Sequence, residues 1–423
     1  MFSTLKKAFK IPEIRKKVLI ILFVIFISRV VAHIPIPGIN RDALGTLFNS
    51  NQLLGLFDLF QGGSLSRFSL ASVGLGPYIT ASIAMQMFTF TIPRLKELQK
   101  EGAYGSEKIN RYTKYLTLPV SLIQSFGIYI FFSKQGLFVN LSTLDLITIL
   151  MSLIAGSFIL MWLGDLITEQ GIGQGISILI LAGILSGLPV STQSLLVSGQ
   201  SGSFFNIILF LVVSVLVIGG VVFVNDATRK IEIAYASAQS QSYGAANYLP
   251  LRVNQAGVIP IIFAVALVIL PSLLGGYLVQ VGTGILPDLG RFLSENFKPD
   301  SLYYNITYFV MVVLFTFFYT AVVFNPKEVA DNLKERGGFI PGIRPGKATE
   351  EYLNRVLTRI TFIGALFLGL IAILPSIASI VTGINVITIG GTGVLIVVSV
   401  ILETLRQMES QVIMYEYEEV SFR

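Results

Sequence analysis

The sequence alternates between long apolar runs and shorter polar segments along its whole length. A helix that crosses the hydrocarbon core of a bilayer needs about 20 predominantly apolar residues, because each residue advances the helix by ~1.5 Å. Runs of about this length lie near 18–36, 73–93, 115–133, 146–164, 174–188, 204–224, 256–280, 303–324, 360–381 and 389–405. The pattern therefore predicts an all-α, polytopic membrane protein with ten transmembrane helices.

The same pattern divides the chain into consecutive regions. An N-terminal segment, 1–17, precedes the first five runs in 18–188, and the last five runs occupy 204–405. A polar tail, 406–423, ends the chain, and the two longest polar loops of the second region span 225–254 and 325–359.

Three of the ten runs are poorly suited to face lipid. The second (SVGLGPYITASIAMQMFTFTIP), fifth (GIGQGISILILAGILSG) and seventh (VNQAGVIPIIFAVALVILP) begin with glycine, proline or amide residues. Irregular or polar backbone at membrane depth is tolerated only where protein buries it or where it lines water, so interrupted spans point to a pathway. The alternative is that these small residues only let helices pack closely.

Composition and charge agree with a membrane protein and orient it. Hydrophobic residues make up 53% of the chain and charged residues 13%, with a mean hydropathy of +0.75, whereas soluble domains carry about 25% charged residues. Of the 30 Lys and Arg residues, 24 fall in segments on the side of the N-terminus. By the positive-inside rule, both termini are expected in the cytoplasm. The basic N-terminus lacks a small-residue cleavage site, so the first span is expected to be retained.

The sequence lacks the residues of the common catalytic and metal sites. It has no Cys, and His33 is the only histidine. It also has no HExxH motif, no Gly-rich phosphate loop and no paired carboxylates within the spans. Arg29 lies about one turn inside the outer end of the first span and is expected to snorkel outward. We therefore predict no enzyme activity, no metal and no cofactor.

A secondary transporter with inverted repeats is the alternative function. Ion-coupled transporters place ionisable residues within their spans, where they bind cations or carry protons. Here Asp165 and Glu403 fall near the cytoplasmic ends of apolar runs, where water is available. The scarcity of intramembrane charge favours a passive channel over the transporter.

Two short segments outside the spans are also informative. In the loop 325–359, the motif PGIRPG places Arg344 between Pro–Gly turns, which predicts an arginine held at a defined loop tip. Such an arginine suits an acidic partner surface, although ordinary positive-inside charge is the alternative. The segment 53–70 is amphipathic, too short to cross and interrupted at Gly62–Gly63. It is expected either to lie at the outer interface or to re-enter the membrane.

Taken together, these segments resemble the SecY family, the bacterial relatives of the central subunit of the eukaryotic translocon. The matching stretches occur in family order and cover the chain from about residue 10 to 410. They are IPIPG (34–38), FQGGSLSRFSL (60–70), GPYITASI (76–83), MWLGDLITEQGIGQGISI (161–178), NQAGVIPIIFA (254–264), FNPKEVADNLK (324–334), PGIRPG (341–346) and GGTGVLIVV (390–398).

The resemblance implies a channel that passes unfolded secretory polypeptides across the bacterial inner membrane and releases transmembrane segments into lipid through a lateral gate. It also implies a fold of two pseudo-symmetric, inverted halves of five helices, clamped by a SecE-like subunit. Other implied partners are the SecA ATPase, the ribosome, signal peptides, nascent chains and membrane lipid. A SecG-like third subunit is left open by the sequence.

The resemblance further implies roles for particular residues. A ring of aliphatic side chains is expected at the narrowest point of the pore, formed by Leu75, Ile79, Ile176, Ile180, Ile262 and Ile396. A plug near 57–67 is expected to close the outer funnel, and its residues are Phe57, Asp58, Leu59, Phe60, Gly62, Gly63 and Arg67.

Two further sets follow from the same resemblance. The second and seventh spans are expected to form the lateral gate, with a polar cluster of Thr80, Gln124 and Asn254. Docking of SecA or the ribosome is expected at Arg344, Pro345, Gly346, Arg229 and Lys230. The stretch 231–252 is less basic than is usual in the family, so partner contact there is expected to be weaker or differently built.

Overall fold

The structure is a computed structural model that describes residues 11–50, 54–55, 58, 61–138, 142–197, 204–235, 248–257, 259–279, 284–298, 301–382 and 391–421. Most of this described part is helical. The first helices in chain order are α1 (Pro12–Val31), α2 (Arg41–Ser50), α3 (Gly76–Thr91), α4 (Pro93–Lys100), α5 (Ala103–Lys134), α6 (Thr143–Glu169) and α7 (Gly175–Val197).

The second part of the chain contains further helices and four short strands. The elements in order are α8 (Phe204–Asp226), β1 (Thr228–Glu232), β2 (Ala234–Tyr235), β3 (Tyr248–Arg252), α9 (Ile259–Val268), α10 (Leu270–Leu278), α11 (Ile285–Asn296), α12 (Leu302–Val323), α13 (Pro326–Glu335), β4 (Gly338–Phe339), α14 (Lys347–Thr382) and α15 (Gly391–Ser421).

Each apolar run predicted above contains helix, in agreement with an all-α architecture. Within the described residues, five helical stretches are long and apolar enough to cross a membrane: Ala103–Lys134, Thr143–Glu169, Ile259–Gly276, Leu302–Glu335 and Lys347–Leu374. Gly175–Gly187 and Val215–Asp226 are shorter apolar helices. The count of ten spans and their division into two inverted halves stay predictions.

The interruptions in the sequence have local structural causes. The second run becomes helical only at Gly76, because Gly74 adopts a positive φ of 59° and Pro77 occupies the first turn of α3, where its missing N–H costs no helical hydrogen bond. The seventh run divides into α9 and α10 close to Pro271, which cannot donate to the preceding turn.

Two large apolar clusters hold the helices together. One contains Ile21 of α1, Leu163 of α6 and Ile184 of α7, together with Ile396 of α15. The other packs α8, α9, α12 and α14 around the fully buried ring of Tyr308, and it includes Ile83 of α3. Since α3 contributes to both clusters through Ile79, it lies between the two groups of helices.

The two longest polar loops form one unit. Strands β1 and β3 pair as an antiparallel hairpin with Arg229 opposite Leu251, and β2 of the first loop pairs with β4 of the second. A small core that includes Ile231, Leu251 and Leu353 lies beneath these strands. The strands were not predicted, because each is only two to five residues long.

Candidate functional site

A cavity of about 120 Å³ lies inside the helical bundle, enclosed by α1, α3, α6, α7, α9 and α15. Its walls are mainly aliphatic, and three of its walls come from α3, α7 and α9, the helices of the interrupted runs. The residues that line it are Ser28, Arg29, Gln61, Gly74, Leu75, Gly76, Ile79, Leu160, Leu179, Ile180, Gly183, Ile262, Val265, Ala266, Ile269 and Ile396.

Five of the six residues predicted for the apolar ring line this cavity. They come from four different helices or their caps: Leu75, Ile79, Ile180, Ile262 and Ile396. The sixth, Ile176, does not line the cavity. It packs against α6, since a Cβ placed on Gly164 would lie 2.9 Å from the Cγ1 atom of Ile176. The structure therefore brings five of the predicted residues together and turns Ile176 towards a helix.

Local backbone geometry explains how these side chains converge. Leu75 is the N-cap of α3, and its carbonyl accepts a hydrogen bond from the Ile79 N–H at 3.0 Å, so the two side chains share one helix face. On the other wall, a Cβ on Gly175 would lie 1.8 Å from the carbonyl oxygen of Gly164. Only glycine at the start of α7 allows this approach to α6, which sets the position of Ile180.

Residues 61–75, here called the covering segment, form turns that close one side of the cavity. In this segment Gly62 has a φ of 69°, and a Cβ on it would lie 2.8 Å from the Cα atom of Gly183 in α7. Ser64 is fully buried and donates to the carbonyl of Ala71 at 2.8 Å. Residues 61–75 therefore fold back onto the bundle, and the placement of 53–70 relative to the membrane stays a prediction.

The predicted plug residues are partly contained in this region. Phe57, Leu59 and Phe60 lie outside the described residues. Asp58 organises the start of the covering segment, because its Oδ1 atom accepts hydrogen bonds from the N–H groups of Leu65 at 2.8 Å and Ser66 at 3.0 Å. Burial raises the pKa of the Asp58 carboxyl above its ordinary value of 3.8, while hydrogen bonds from Ser66 and Leu65 and the charge of Arg67 oppose the shift.

Two arginines flank the covering segment. The expectation that Arg29 snorkels outward is wrong, because its guanidinium points into the bundle, where Nη1 donates to Ser186 Oγ at 2.8 Å and approaches the Gly62 carbonyl at 3.4 Å. Arg67 is exposed and contacts Nε2 of His33, whose Nδ1 lies 2.7 Å from the Arg29 carbonyl.

Gly63, another residue predicted for the plug, follows Gly62 and also has a positive φ, of 76°.

The structure unites only two of the three residues predicted for the polar gate cluster. Gln124 of α5 donates from Nε2 to the hydroxyl of Thr80 of α3 at 3.3 Å. Asn254, which is 6% exposed, instead donates to Asn225 Oδ1 at 2.8 Å, and Asn225 donates to Ser399 of α15 at 3.0 Å. Within the described residues, the Oδ1 atom of Asn254 has no hydrogen-bond partner.

The predicted gate helices are in contact. Helix α3 packs on α9 through the cluster that contains Ile83, Ile261 and Val265. At the far end of α3, the ring of Phe90 lies edge-on to the ring of Phe318 in α12, with 6.1 Å between the ring centroids. The structure thus has α3 closed against the second group of helices.

The predicted docking residues lie on the unit formed by the two long loops. Arg344 is exposed between Gly342 and Gly346, whose φ values of 80° and 98° shape the loop tip, and Pro345 is exposed beside it. Arg229 and Lys230 are exposed on β1, and the ammonium group of Lys230 lies 4.7 Å from the centroid of the Tyr248 ring.

Several polar contacts were not expected from the sequence. Lys114 of α5 pairs with Asp165 of α6 at 2.7 Å, and Arg406 of α15 pairs with Asp226 at the end of α8. Gln407 of α15 accepts from the Gly173 N–H at 2.6 Å. The charged and amide side chains at the ends of apolar runs were the available signal for such contacts, but one sequence does not reveal which partner each residue meets.

Comparisons with known proteins cover nearly the whole chain. The protein translocase subunits SecY of Streptomyces scabiei and Aquifex aeolicus are 40% and 41% identical to it, over 438 and 432 aligned residues, with 99% of each chain covered. The SecY of Staphylococcus aureus is also 41% identical, with the same coverage.

Solved structures show the same fold at lower sequence identity. The structure of a protein conducting channel matches with a TM-score of 0.63 and 21% identity, covering 93% of this chain and 91% of its own. Sec61 in the canine ribosome-channel complex matches with a TM-score of 0.62, 21% identity and the same coverage. The SecY family model matches residues 69–405, and with relatives at about 40% identity over their full length, the chain belongs to the SecY family.

Proposed function

We propose that this protein is a channel through which unfolded polypeptides cross a membrane. The observation that carries the proposal is the cavity bounded by Leu75, Ile79, Ile180, Ile262 and Ile396, because five aliphatic side chains from four helices or their caps line one cavity inside the bundle. Two likenesses support it. Full-length relatives are protein translocase subunits, and the fold is that of a solved protein conducting channel.

The chemistry of the cavity suits a passage that has no fixed substrate sequence. An apolar constriction resists ions because water withdraws from it, and it requires no specific hydrogen bonds with the chain that passes. Side chains of isoleucine and leucine can move apart around an extended polypeptide and close again. Arg29 is the only ionisable residue in the lining that the structure describes, and the lining contains no carboxylate. This composition does not favour a cation-coupled transporter.

The proposed plug is the covering segment together with the residues before it. Its turns lie over the cavity and hold it shut at rest, and outward displacement of the segment would open the route. A solved SecY whose plug domain stabilises the closed state of the translocation channel shares this fold, with a TM-score of 0.63 and 22% identity.

The proposed lateral gate lies between α3 and α9. In this proposal the ten apolar helical regions form two inverted halves of five, and α3 moves away from α9 to release transmembrane segments of the substrate into lipid. The hydrogen bond from Gln124 to Thr80 ties α3 to α5 rather than to α9, and at about 1 kcal/mol in a membrane it restrains the movement of α3 only weakly. We assign Asn254 to the group of helices that stays in place when α3 moves, because Asn254 bonds to Asn225 and Asn225 bonds to Ser399.

The proposed partners bind in two regions. SecA and the ribosome dock on the cytoplasmic unit that presents Arg344, Pro345, Gly346, Arg229 and Lys230, and they supply the driving force. A SecE-like subunit clamps the two halves, and both termini lie in the cytoplasm of a bacterium whose inner membrane contains the complex. Sec61 in the canine ribosome-channel complex supports ribosome binding by this fold.

A crosslink between α3 and α12 tests the proposal directly. Because the chain has no Cys, Phe90→Cys and Phe318→Cys introduce the only thiols. The complex with a SecE-like subunit is reconstituted in vesicles with SecA, ATP and a secretory precursor, and a short bis-maleimide joins the two cysteines. We expect uptake of the precursor to stop after crosslinking and to continue in each single-cysteine protein treated identically.

The opposite results would reject the proposal. If the crosslinked protein took up the precursor as fast as the untreated one, α3 would not need to move. If the uncrosslinked complex took up no precursor but accumulated a small solute along an ion gradient, the transporter function would replace the channel.

A further inference from the structure

Arg29 and Ser186 face the covering segment, and Arg29 is the donor to it, because the single hydroxyl proton of Ser186 goes to the Gly183 carbonyl. The Arg29 Nη1 atom lies 2.8 Å from Ser186 Oγ, and both atoms approach the carbonyl oxygen of Gly62, at 3.4 and 3.5 Å. Ser186 also donates to the Gly183 carbonyl at 2.7 Å, which leaves its oxygen free to accept from the guanidinium. We call this group of atoms the Gly62 cradle.

The backbone at Gly62 can occupy the cradle only as glycine. Its φ is 69°, and a Cβ atom would lie 2.5 Å from Arg29 Nη1 and 2.8 Å from the Cα atom of Gly183. A left-handed conformation is accessible to glycine without strain, and the missing Cβ lets the carbonyl approach Arg29 Nη1 and Ser186 Oγ. The covering segment therefore touches α1 and α7 together at one defined residue.

Other contacts around Arg29 hold its helical turn in place. His33 lies one turn later, and its Nδ1 atom is 2.7 Å from the Arg29 carbonyl, while its Nε2 contacts Arg67 of the covering segment. A ring nitrogen that donates to a carbonyl leaves the other nitrogen of neutral histidine as an acceptor, which matches the arginine donor. The segment is thus attached to α1 at both Gly62 and Arg67.

The guanidinium is only partly satisfied in this position. Its Nε atom is buried, and within the described residues it has no hydrogen-bond partner. A buried donor without a partner disfavours the state that contains it, and water reaches the group when the segment moves away. The unpaired Nε atom therefore offsets part of the stabilisation that the Gly62 contact gives to the seated segment.

We infer that Arg29 is a positioning residue that holds the covering segment over the apolar cavity by donating to the Gly62 carbonyl, while Ser186 accepts from the guanidinium and orients it. The consequence for conduction rests on the proposed function, whereas the position of the segment does not. Loss of one hydrogen bond with a charged donor shifts the ratio of seated to displaced segment about five- to tenfold.

A spin label on the covering segment measures this position without any transport assay. Ser66→Cys gives a single labelling site, since the natural chain has no Cys. In the purified complex in lipid vesicles, we expect the mobile fraction of the label to rise about five- to tenfold in Arg29→Met. A smaller rise is expected in Ser186→Ala, and Arg29→Lys should lie between these and the unsubstituted protein because it keeps the charge but loses the planar fork.

A matched control separates the contact from the charge. Arg291 is exposed on α11 and is not part of the cavity lining, so Arg291→Met removes the same charge without touching Gly62. We expect no change in label mobility in this variant. Equal mobility in Arg29→Met and the unsubstituted protein would overturn the inference, and so would equal effects of Arg29→Met and Arg291→Met. If Arg29→Met does not fold, Ser186→Ala alone decides, and an unchanged label would reject the cradle.

Resting anion flux through the same vesicles connects the cradle with the proposed function. A mobile label accompanied by raised flux supports both conclusions. A mobile label with unchanged flux keeps the cradle and contradicts the proposed role of the covering segment as a plug.

Discussion

Asp58 illustrates how a single carboxylate can organise a turn while being penalised for its charge. Its Oδ1 atom accepts from two backbone N–H groups, each worth about 0.5–1.5 kcal/mol net. Burial nevertheless raises its pKa, since the low-dielectric surroundings disfavour the ionised form. The acceptor is therefore needed by the fold, whereas the negative charge is not.

Two substitutions separate these effects. Asp58→Ala should loosen the covering segment by about 1–3 kcal/mol, because it orphans two N–H groups, whereas Asp58→Asn keeps an acceptor and should cost much less. The raised pKa of Asp58 means that the folded segment favours the protonated carboxyl. The stabilisation of the segment by protonated Asp58 is complete below the ordinary pKa of 3.8, and it is lost as the pH rises through the raised pKa. Label mobility at residue 66 against pH measures both, and identical Ala and Asn variants would contradict the assignment.

The ring residues give a second prediction at this scale. Ile180→Ser places a hydroxyl in the cavity wall and should raise resting ion flux in vesicles by favouring water in the constriction. Ile176→Ser is the matched control. Ile176 lies on α7 with Ile180, but it packs against Gly164 of α6 and does not line the cavity. Equal leakage in the two variants would mean that the cavity is not the constriction, and Ile180→Leu should leave the flux unchanged.

This distinction shows where sequence reasoning stops for individual residues. The spacing of Ile176 and Ile180 puts both on one face of α7, but a face of a helix is wide enough to contact two neighbours. Which of them meets the cavity depends on the close approach of Gly175 to Gly164, which no pattern in the sequence specifies. Likewise, the resemblance named Asn254 as a polar gate residue, while its bond with Asn225 depends on how α8 packs.

At the scale of elements, glycine contacts decide how closely helices approach. A Cβ on Gly175 would lie 1.8 Å from the Gly164 carbonyl, so Gly175→Ala must push α7 away from α6. We expect a loss of about 3 kcal/mol or more in stability, which lies at the upper end for overpacking because the clash is with backbone.

A thermal unfolding scan of the purified complex measures this loss. Gly219→Ala is the matched control, since Gly219 lies exposed in α8 and a Cβ added to it would meet no atom within 4 Å. In a helix interior this change should be neutral or stabilising by up to ~1 kcal/mol. Similar melting temperatures for the two variants would show that α7 can shift without cost.

The elements themselves were largely predictable, and their boundaries had visible causes. Long apolar runs became helices, and Pro77 and Pro271 lie where the second and seventh runs are interrupted. The covering segment was not predictable in the same way, because its turns depend on contacts of Gly62 with α1 and α7. The short strands in the polar loops escaped prediction because each is only two to five residues long, and β2 and β4 also lie in different loops.

At the scale of the whole molecule, the unit formed by the two long loops offers a test of the proposed partner binding. Arg344→Glu reverses charge at an exposed loop tip and should weaken binding of SecA by about tenfold or more, while the melting temperature of the complex stays unchanged. Arg336→Glu makes the same reversal in the same loop, at an exposed position outside the tip, and should have a smaller effect.

Binding of SecA to vesicles at two salt concentrations provides the measurement. The difference between the two variants should shrink at high salt, because screening weakens interactions between exposed charges. If Arg336→Glu weakened binding as much as Arg344→Glu, general charge on this face rather than the shaped tip would account for docking.

The pairing of β2 with β4 has a mechanical consequence for a protein of this design. It links the loop between α8 and α9 to the loop between α12 and α14, and the apolar core under both loops makes them one solid platform. A large partner bound to both loops would restrain α8, α9, α12 and α14, the four helices that these loops connect. If α3 moves away from α9 as proposed, the movement would then come from the other group of helices, while α8, α9, α12 and α14 stay fixed.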